Sequence, residues 1–274
     1  MSKQRLYKDM ISNPRMWQLY IAIEDRGLDI MIYNPLEEHS LMTAYLDFEG
    51  DFSSKAVEDA IYDNPLLLND FNRVTVVMRN NHFTLLPDDV TTDPALTETI
   101  CSELTGRTDS EVLLDRLPLL DMSVAFAPDQ DLLNFLRRTF PGVSVRHRIS
   151  GLIQYWHATS RPMRPLTTLI NLRENSIDIA SYSANTLQFA NTFSADTMAD
   201  RLYYIMAVRE SLGADSETPA VISGDRRLRD ELTGPISRYV SRVLPAVFPV
   251  AMFKAGGQAA MNTPLDLVVL PLCE

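Results

Sequence analysis

A mixed α/β fold is predicted, with two lobes that each contain a mixed β-sheet flanked by helices. Three observations support this prediction. Short apolar runs separated by tight turns predict strands, and runs with apolar residues at helical spacing follow them. The same order of elements, three strands, a helix and another strand, occurs twice along the 274 residues. Strands joined by short turns pair antiparallel, and a strand reached through a helix pairs parallel, so each sheet is expected to be mixed.

The first half begins with three predicted strands, at Gln18–Glu24, Leu28–Tyr33 and Ser40–Phe48. A helix follows, capped by Ser53 or Ser54 and stopped by Pro65. Two further apolar runs predict a hairpin through residues 79–81; they are Arg73–Met78 and His82–Pro87. The remaining expected elements are helical material over 94–119, a strand at MSVAFA, a helix at DLLNFLRRTF and a strand at VSVRHRI.

The second half begins after Thr159–Pro165, where two prolines and two arginines predict a linker. The predicted lobes are therefore residues 1–160 and 161–274. Three strands are expected in the second lobe, at Leu166–Leu172, Ile177–Ser183 and Thr186–Phe193. Then come a helix at 196–212 with a cap near Ser194, a strand at PAVIS and a helix at DRRLRDEL. VFPVAMF is expected to be a strand, and Lys254–Thr263 a flexible loop.

A short echo supports an internal duplication. Leu28-Asp29-Ile30 and Tyr33 recur as Ile177-Asp178-Ile179 and Tyr182, at a constant offset of 149 residues. Combined with the matching order of elements, this echo indicates that one unit is used twice.

The polar tip of the hairpin LTTLINLRENSIDIASY connects this pattern to a known group. Paired units of this kind resemble the actin-like ATPase superfamily, whose lobes each have a ribonuclease-H-like core. The corresponding hairpin of active members resembles D-[apolar]-G-G-G-[TS]-[TS]-D-[apolar]-A. Ser176, Asp178 and Ala180 fit this pattern, whereas Asn171 replaces its first carboxylate and residues 173–175 replace its glycines.

More specifically, the chain is similar to a family of uncharacterised bacterial proteins with an actin-like ATPase fold. The similarity lies in the opening strand pair, the Ser-Gly-Asp turn, the late helix rich in Arg and Tyr, and the terminal PLDLVVLPLCE. This resemblance implies a fold rather than an activity.

The resemblance also implies which residues would line a vestigial nucleotide cleft: Asp25, Gly27, Asn171, Arg173, Ser176, Gly224 and Asp225. Side chains at 173–175 would obstruct the approach of a phosphate to backbone N–H groups, and Asn171 offers no carboxylate to a magnesium-bound water. Ordinary turns explain the same positions. Gly27 is then expected to supply a positive φ, Gly224 a tight bend and Asp225 a helix cap. ATP-Mg is therefore not expected as a cofactor.

Composition and charge bound the other chemistry. The net charge of −11 and pI near 4.9 disfavour non-specific binding to nucleic acid. The histidines and the two cysteines show no metal or redox spacing. A two-metal nuclease would need converging carboxylates, for which the first half offers Glu24 or Asp25, Glu58 and Asp129. In the second half Asp225 stands at a suitable place, but Asn171 is not a carboxylate. Acidic residues are frequent enough in this chain for such a set to arise by chance.

One basic and aromatic segment departs from the acidic background. It contains Arg146, His147, Arg148, Tyr155, Trp156, His157, Arg161 and Arg164. Three interpretations are open: a core Trp156 with arginines paired to carboxylates, a protein interface, or an RNA-binding surface. The partner-binding candidates are Arg146, Arg148, Tyr155 and Trp156.

Together these observations predict a non-enzymatic, cytoplasmic actin-like protein that acts as a protein-interaction or regulatory module with an unidentified protein partner. The N-terminus lacks the apolar segment of a signal peptide, and no apolar run approaches the length that crosses a bilayer. The alternatives are an ATPase with non-standard phosphate loops and an RNA-associated protein that uses the Arg146–Arg164 segment.

Overall fold

The computed structural model describes residues 6–79, 82–105, 110–160 and 166–273. The first half contains, in chain order, β1 (Gln18–Ile23), β2 (Gly27–Tyr33), β3 (Met42–Asp47), α1 (Ser54–Tyr62), β4 (Arg73–Met78), β5 (Thr84–Pro87), α2 (Asp88–Thr91), α3 (Pro94–Thr105), β6 (Leu113–Leu117), β7 (Met122–Phe126), α4 (Gln130–Thr139) and β8 (Ser144–His147). The second half contains α5 (Arg148–Ser160), β9 (Thr167–Leu172), β10 (Ser176–Ser183), β11 (Thr186–Ser194), α6 (Met198–Ser211), β12 (Ala220–Gly224), α7 (Arg226–Ile236), β13 (Val243–Pro245), α8 (Val250–Asn262) and α9 (Leu265–Val268).

The two main sheets have the same topology. Their strand orders are β3-β2-β1-β4-β8 and β11-β10-β9-β12-β13. In each sheet the first three strands pair antiparallel, and the last two join in parallel. Ile21 pairs with Ile30 in the first sheet, and Ile170 pairs with Ile179 in the second. Both members of the second pair lie 149 residues after their counterparts, so the predicted duplication and mixed sheets are confirmed.

The predicted hairpin of β4 with β5 is wrong. β4 has parallel neighbours on both edges, β1 and β8, so neither edge is open to β5. β5 instead pairs with β7 in a separate three-stranded sheet of order β5-β7-β6. The expected turn residues Asn80 and Asn81 lie outside the described residues. This small sheet, with α2 and α3, interrupts the first half and has no counterpart among the described elements of the second half.

Three further predictions are wrong. Leu113–Leu117 is a strand rather than a helix. The sequence did not indicate a strand because its buried central residue is the polar Asp115, which interrupts the alternation of apolar residues. Val250–Phe253 of VFPVAMF and most of Lys254–Thr263 belong to the helix α8, not to a strand and a loop. Gly257 within α8 has φ 53° and ψ −125°, which kinks the helix without ending it.

Helix α6 covers the second sheet with an unusual buried face. Thr197 caps it through a reciprocal bond pair with Asp200, so the cap lies three residues after the expected Ser194. The fully buried side chains of α6 are Arg201, Ile205, Val208 and Arg209. Two arginines therefore occupy core-facing positions among the apolar residues of the second half.

By its internal packing the chain divides into two compact units. The first contains Met1–Leu117, Asp121–Ser150 and Pro249–Thr263, and the second contains Pro118–Leu120, Gly151–Phe248 and Pro264–Glu274. The division thus falls near the start of α5 rather than between residues 160 and 161, and α8 joins the first unit. Residues 161–165 of the predicted linker lie outside the described residues.

Candidate functional site

The β9–β10 hairpin forms as predicted, and its tip is a tight turn. The backbone N–H of Arg173 donates to the carbonyl of Ser176 at 3.0 Å, which leaves Glu174 and Asn175 as the two turn residues. Ser176 is buried and pairs with Ser194 of β11. The tip is therefore a two-residue turn that carries side chains at both central positions.

Asn171 is buried and committed to internal hydrogen bonds. Its Nδ2 donates to Asp178 Oδ2 at 3.0 Å, and its Oδ1 accepts from Ser223 Oγ at 3.2 Å. Asp178, which has no exposed surface, also accepts from Thr192 Oγ1 at 2.7 Å. This network uses both ends of the Asn171 amide, so the residue offers neither a negative charge nor an open oxygen at this position.

Arg173 forms an ion pair inside the second unit. Its Nη1 lies 3.3 Å from Asp266 Oδ2, and the two side chains are 13% and 0% exposed. Asp266 was not among the predicted site residues. A single acidic residue inside the apolar run LDLVVLPL could have indicated a buried ion pair, because an aspartate is rarely buried without a cation. The charge of Arg173 is compensated within the chain.

Arg201 of α6 holds the backbone of the hairpin tip. Its Nη2 donates to the carbonyls of Arg173, at 3.1 Å, and Glu174, and its Nη1 donates to the carbonyl of Asp196 at 3.2 Å. The residue is 2% exposed. A buried guanidinium thus donates hydrogen bonds to the carbonyls of the turn, a role that was not predicted for this residue. The sequence could have indicated that Arg201 is buried, because it lies four residues before the buried Ile205 on the same helix face.

Gly224 and Asp225 serve a turn from strand to helix, as the simpler interpretation expected. Gly224 has φ +94°, and a Cβ atom there would overlap the backbone of Leu172. The backbone N–H of Asp225 donates to the Leu172 carbonyl at 2.9 Å, and its side chain accepts from the N–H of Leu228 at 2.9 Å. Asp225 is therefore the N-cap of α7.

The turn between β1 and β2 is also tight, but Gly27 has a different role from the expected one. Its φ lies outside the left-handed region, so the predicted positive φ is wrong. A Cβ atom at Gly27 would overlap the carbonyl oxygen of Leu46 and the ring of Tyr45. Glycine is needed here because β3 passes close to the chain. Asp25 lies in this turn, with Glu24 N–H bonded to the Gly27 carbonyl at 3.0 Å.

A buried arginine occupies the equivalent place in the first unit. Arg79 follows β4, and its N–H donates to the Ile23 carbonyl just as the N–H of Asp225 donates to that of Leu172. Its side chain is 1% exposed and ion-paired with both Glu24 and Asp29. We name Arg79, Glu24 and Asp29 the Arg79 cluster.

The Arg79 cluster has a net negative charge, since one guanidinium faces two carboxylates. The pKa of the nearby Tyr45 phenol is raised to about 12. Burial is the largest cause, and the negative charge of Glu24 is the second. The sequence signal for this cluster was an arginine directly after the buried strand VTVVM.

Three of the carboxylates considered for a two-metal nuclease, Glu24, Asp129 and Asp225, have structural partners. Asp129 caps α4 and also accepts from Ser54 Oγ at 2.8 Å, while Glu24 pairs with Arg79. Within the described residues, no three His, Cys, Asp or Glu side chains form a group that could hold a metal ion.

The basic and aromatic segment is largely interior. The four partner-binding candidates are all buried: Arg146, Arg148, Tyr155 and Trp156. Arg146 pairs with Asp115 at 3.0 Å, where burial raises the pKa of the carboxyl and the arginine opposes that shift. Burial also raises the pKa of Tyr155 to about 12. These positions favour the first of the three interpretations, and residues 161 and 164 lie outside the described part of the chain.

Comparisons with solved structures identify the fold. A Bacteroides thetaiotaomicron protein with an actin-like ATPase fold and unknown function is 20% identical, with a TM-score of 0.82; the match covers 97% of this chain and 100% of that one. A chain of the PilM-PilN type IV pilus biogenesis complex is 13% identical, with a TM-score of 0.60, covering 95% and 98%. The chain therefore has the predicted actin-like ATPase fold.

Curated protein sequences give no match to this chain. No helix in the described part of the chain has the length and apolar character needed to cross a membrane. The model of one family, described as protein of unknown function (DUF3822), matches residues 9–243. The chain belongs to the DUF3822 family, whose fold here is that of the actin-like ATPases.

Proposed function

We propose that this chain is a non-enzymatic, cytoplasmic actin-like protein that acts as a protein-interaction or regulatory module. The observation that carries the proposal is the internal pairing of the cations that lie beside the first hairpin and at the tip of the second. Arg79 pairs with Glu24 and Asp29, and Arg173 pairs with Asp266. Loops that hold phosphate instead direct N–H groups and cations towards the ligand.

Electrostatics supports the same conclusion in each unit. The Arg79 cluster carries one positive and two negative charges, which disfavours an anionic triphosphate nearby. At the second hairpin, the Arg201 guanidinium faces the turn carbonyls from the protein interior, and the Asn171 amide is bonded on both sides. A magnesium ion prefers anionic oxygen ligands, and a neutral, fully bonded amide is a poor substitute.

A role in protein interaction is compatible with this fold. The structural neighbour PilM is found in a complex with PilN, although at 13% identity that likeness extends only to the fold. The net charge of −11 favours protein partners over nucleic acid, and the described arginines of the Arg146–Arg164 segment are buried. We therefore place the RNA-associated alternative behind the interaction module.

Partner capture tests this proposal. The tagged full chain, incubated with lysate of the organism that encodes it, is expected to retain a specific protein equally well with and without ATP-Mg. The recovered protein, once purified, is expected to bind the chain in a defined ratio under both conditions. A tag-only bait is the control. Retention of nothing beyond that control would overturn the interaction role, and retention only in the presence of ATP-Mg would support the ATPase alternative.

A further inference from the structure

The second unit contains a cavity of about 220 Å³ between α5 and one face of its sheet. Its floor is a row of three side chains in register across neighbouring strands: Leu169 of β9, Val221 of β12 and Leu244 of β13. Its roof is formed by residues of α5, and Pro245–Val247 closes one side. The cavity therefore lies within one compact unit.

The wall segment is fastened to the roof. Tyr155 Oη donates to the carbonyl of Val247 at 2.6 Å, so the segment after β13 is held against α5. Leu244 is 37% exposed and Val247 is 66% exposed, whereas Trp156 is 1% exposed. The cavity thus runs from a partly exposed rim to a fully buried aromatic wall.

One lining residue, Trp156, has a buried polar atom without a partner. Its Nε1 atom has no acceptor within hydrogen-bonding distance in the part of the chain that the structure describes. The other two polar side chains of the lining are satisfied, because Tyr155 bonds to Val247 and Thr159 Oγ1 donates to the Tyr155 carbonyl at 2.9 Å. A buried donor without an acceptor destabilises the folded state, and a ligand that supplies the acceptor removes that cost.

We propose that this cavity binds a small neutral molecule that is mostly apolar and carries one hydrogen-bond acceptor, which the Trp156 indole N–H recognises. A cavity of about 150 Å³ lined by aliphatic side chains accepts benzene, so this one has room for a ring with a short substituent. None of the described side chains that line the cavity is charged, so an ion would lose its hydration without compensation. Aryl ketones and esters match this description.

Water fits the site less well than such a ligand. A buried water needs two to four polar partners, and among the described side chains of the lining only the Trp156 indole is an unmatched donor. A carbonyl compound needs only that one donor, while its apolar part fills the remaining space. This inference is independent of the proposed loss of nucleotide binding, since it concerns a different part of the second unit.

The test uses two probes of nearly the same shape, acetophenone and α-methylstyrene, which differ in having a carbonyl or a methylene group. The chain contains two tryptophans, so a ¹⁵N-labelled sample gives two indole N–H signals. Trp17 Nε1 already donates to the Ser12 carbonyl at 3.1 Å and serves as an internal reference. Trp17→Phe assigns the two signals.

Acetophenone is expected to shift the Trp156 indole signal downfield in a saturable manner and to leave that of Trp17 in place. α-Methylstyrene is expected to bind about fivefold more weakly, because one hydrogen bond contributes about 1 kcal/mol and each 1.4 kcal/mol is a factor of ten. Equal affinity for the two probes, or no saturable shift with either, would overturn the proposal.

Two variants locate the binding. Ala246→Phe, at a partly exposed position of the wall, is expected to fill the cavity and abolish binding of both probes while the fold is retained. Trp156→Phe is expected to remove the preference for acetophenone; if it fails to fold, Ala246→Phe still decides. Undiminished binding to Ala246→Phe would place the ligand elsewhere and contradict the proposal.

Discussion

Replacing Gly224 with alanine is expected to destabilise the protein by about 3 kcal/mol or more. The residue has φ +94°, and an added Cβ atom would overlap both the N and O atoms of Leu172. Neither backbone atom can move without disturbing the pairing of β9 with β12. Urea denaturation of the purified variant, followed by far-UV circular dichroism, measures the change in free energy of unfolding.

Gly213→Ala is the matched control. Gly213 also has a positive φ, at +68°, but a Cβ atom there meets no other atom within 4 Å. Its substitution should therefore cost only the conformational strain, about 1 kcal/mol. Equal losses for the two variants would mean that the close approach to Leu172 is not what requires Gly224.

Arg79→Met is expected to lower the free energy of unfolding by about 3 kcal/mol. The side chain is 1% exposed, and its removal takes away the buried guanidinium that pairs with both Glu24 and Asp29. Because those carboxylates keep some contact with solvent, the expected loss lies at the lower end of that for a broken buried ion pair. Thermal and urea unfolding of the variant measure it.

Two comparisons make this result interpretable. Arg15→Met removes an exposed ion pair with Asp70, whose side chains are 78% and 72% exposed, and should change stability by less than about 1 kcal/mol. Adding Glu24→Gln and Asp29→Asn to Arg79→Met should restore part of the loss, since the two carboxylate charges next to the missing guanidinium are then removed. If Arg79→Met is as mild as Arg15→Met, the Arg79 cluster does not stabilise the first unit.

Much of the fold follows from local sequence. The strands β1, β2, β9 and β10 are apolar runs bounded by turn residues, and their constant offset exposed the duplication. The order of elements then predicted the mixed topology, because a helix between strands produces parallel pairing.

The missed elements are those whose tertiary surroundings override local pattern. Helix α5 is buried around most of its surface, so its sequence shows no amphipathic stripe, and its Gly151 lies against Leu270. β5 follows β4 directly, yet its partner β7 lies about forty residues further along the chain, which no local signal specifies.

Some residues of the candidate site could likewise be predicted from local sequence, and others could not. Sequence placed Asn171, Arg173 and Gly224 at the ends of the relevant strands, and the structure gives each a position in a turn or network there. It did not reveal Asp266 or Arg201, which reach the hairpin from distant segments. Pairing of buried charges depends on tertiary contact, and an isolated charge in an apolar run only indicates that some partner exists.

The most direct test of the central claim is the melting temperature of the full chain with ATP-Mg, compared with magnesium chloride at equal ionic strength. A ligand that binds only the native state must raise stability, by about 2.7 kcal/mol at a concentration one hundred times its Kd. We predict no change at any nucleotide concentration, because Arg79, beside the first hairpin, and Arg173, in the second, are paired internally. A saturable rise in melting temperature would contradict the account.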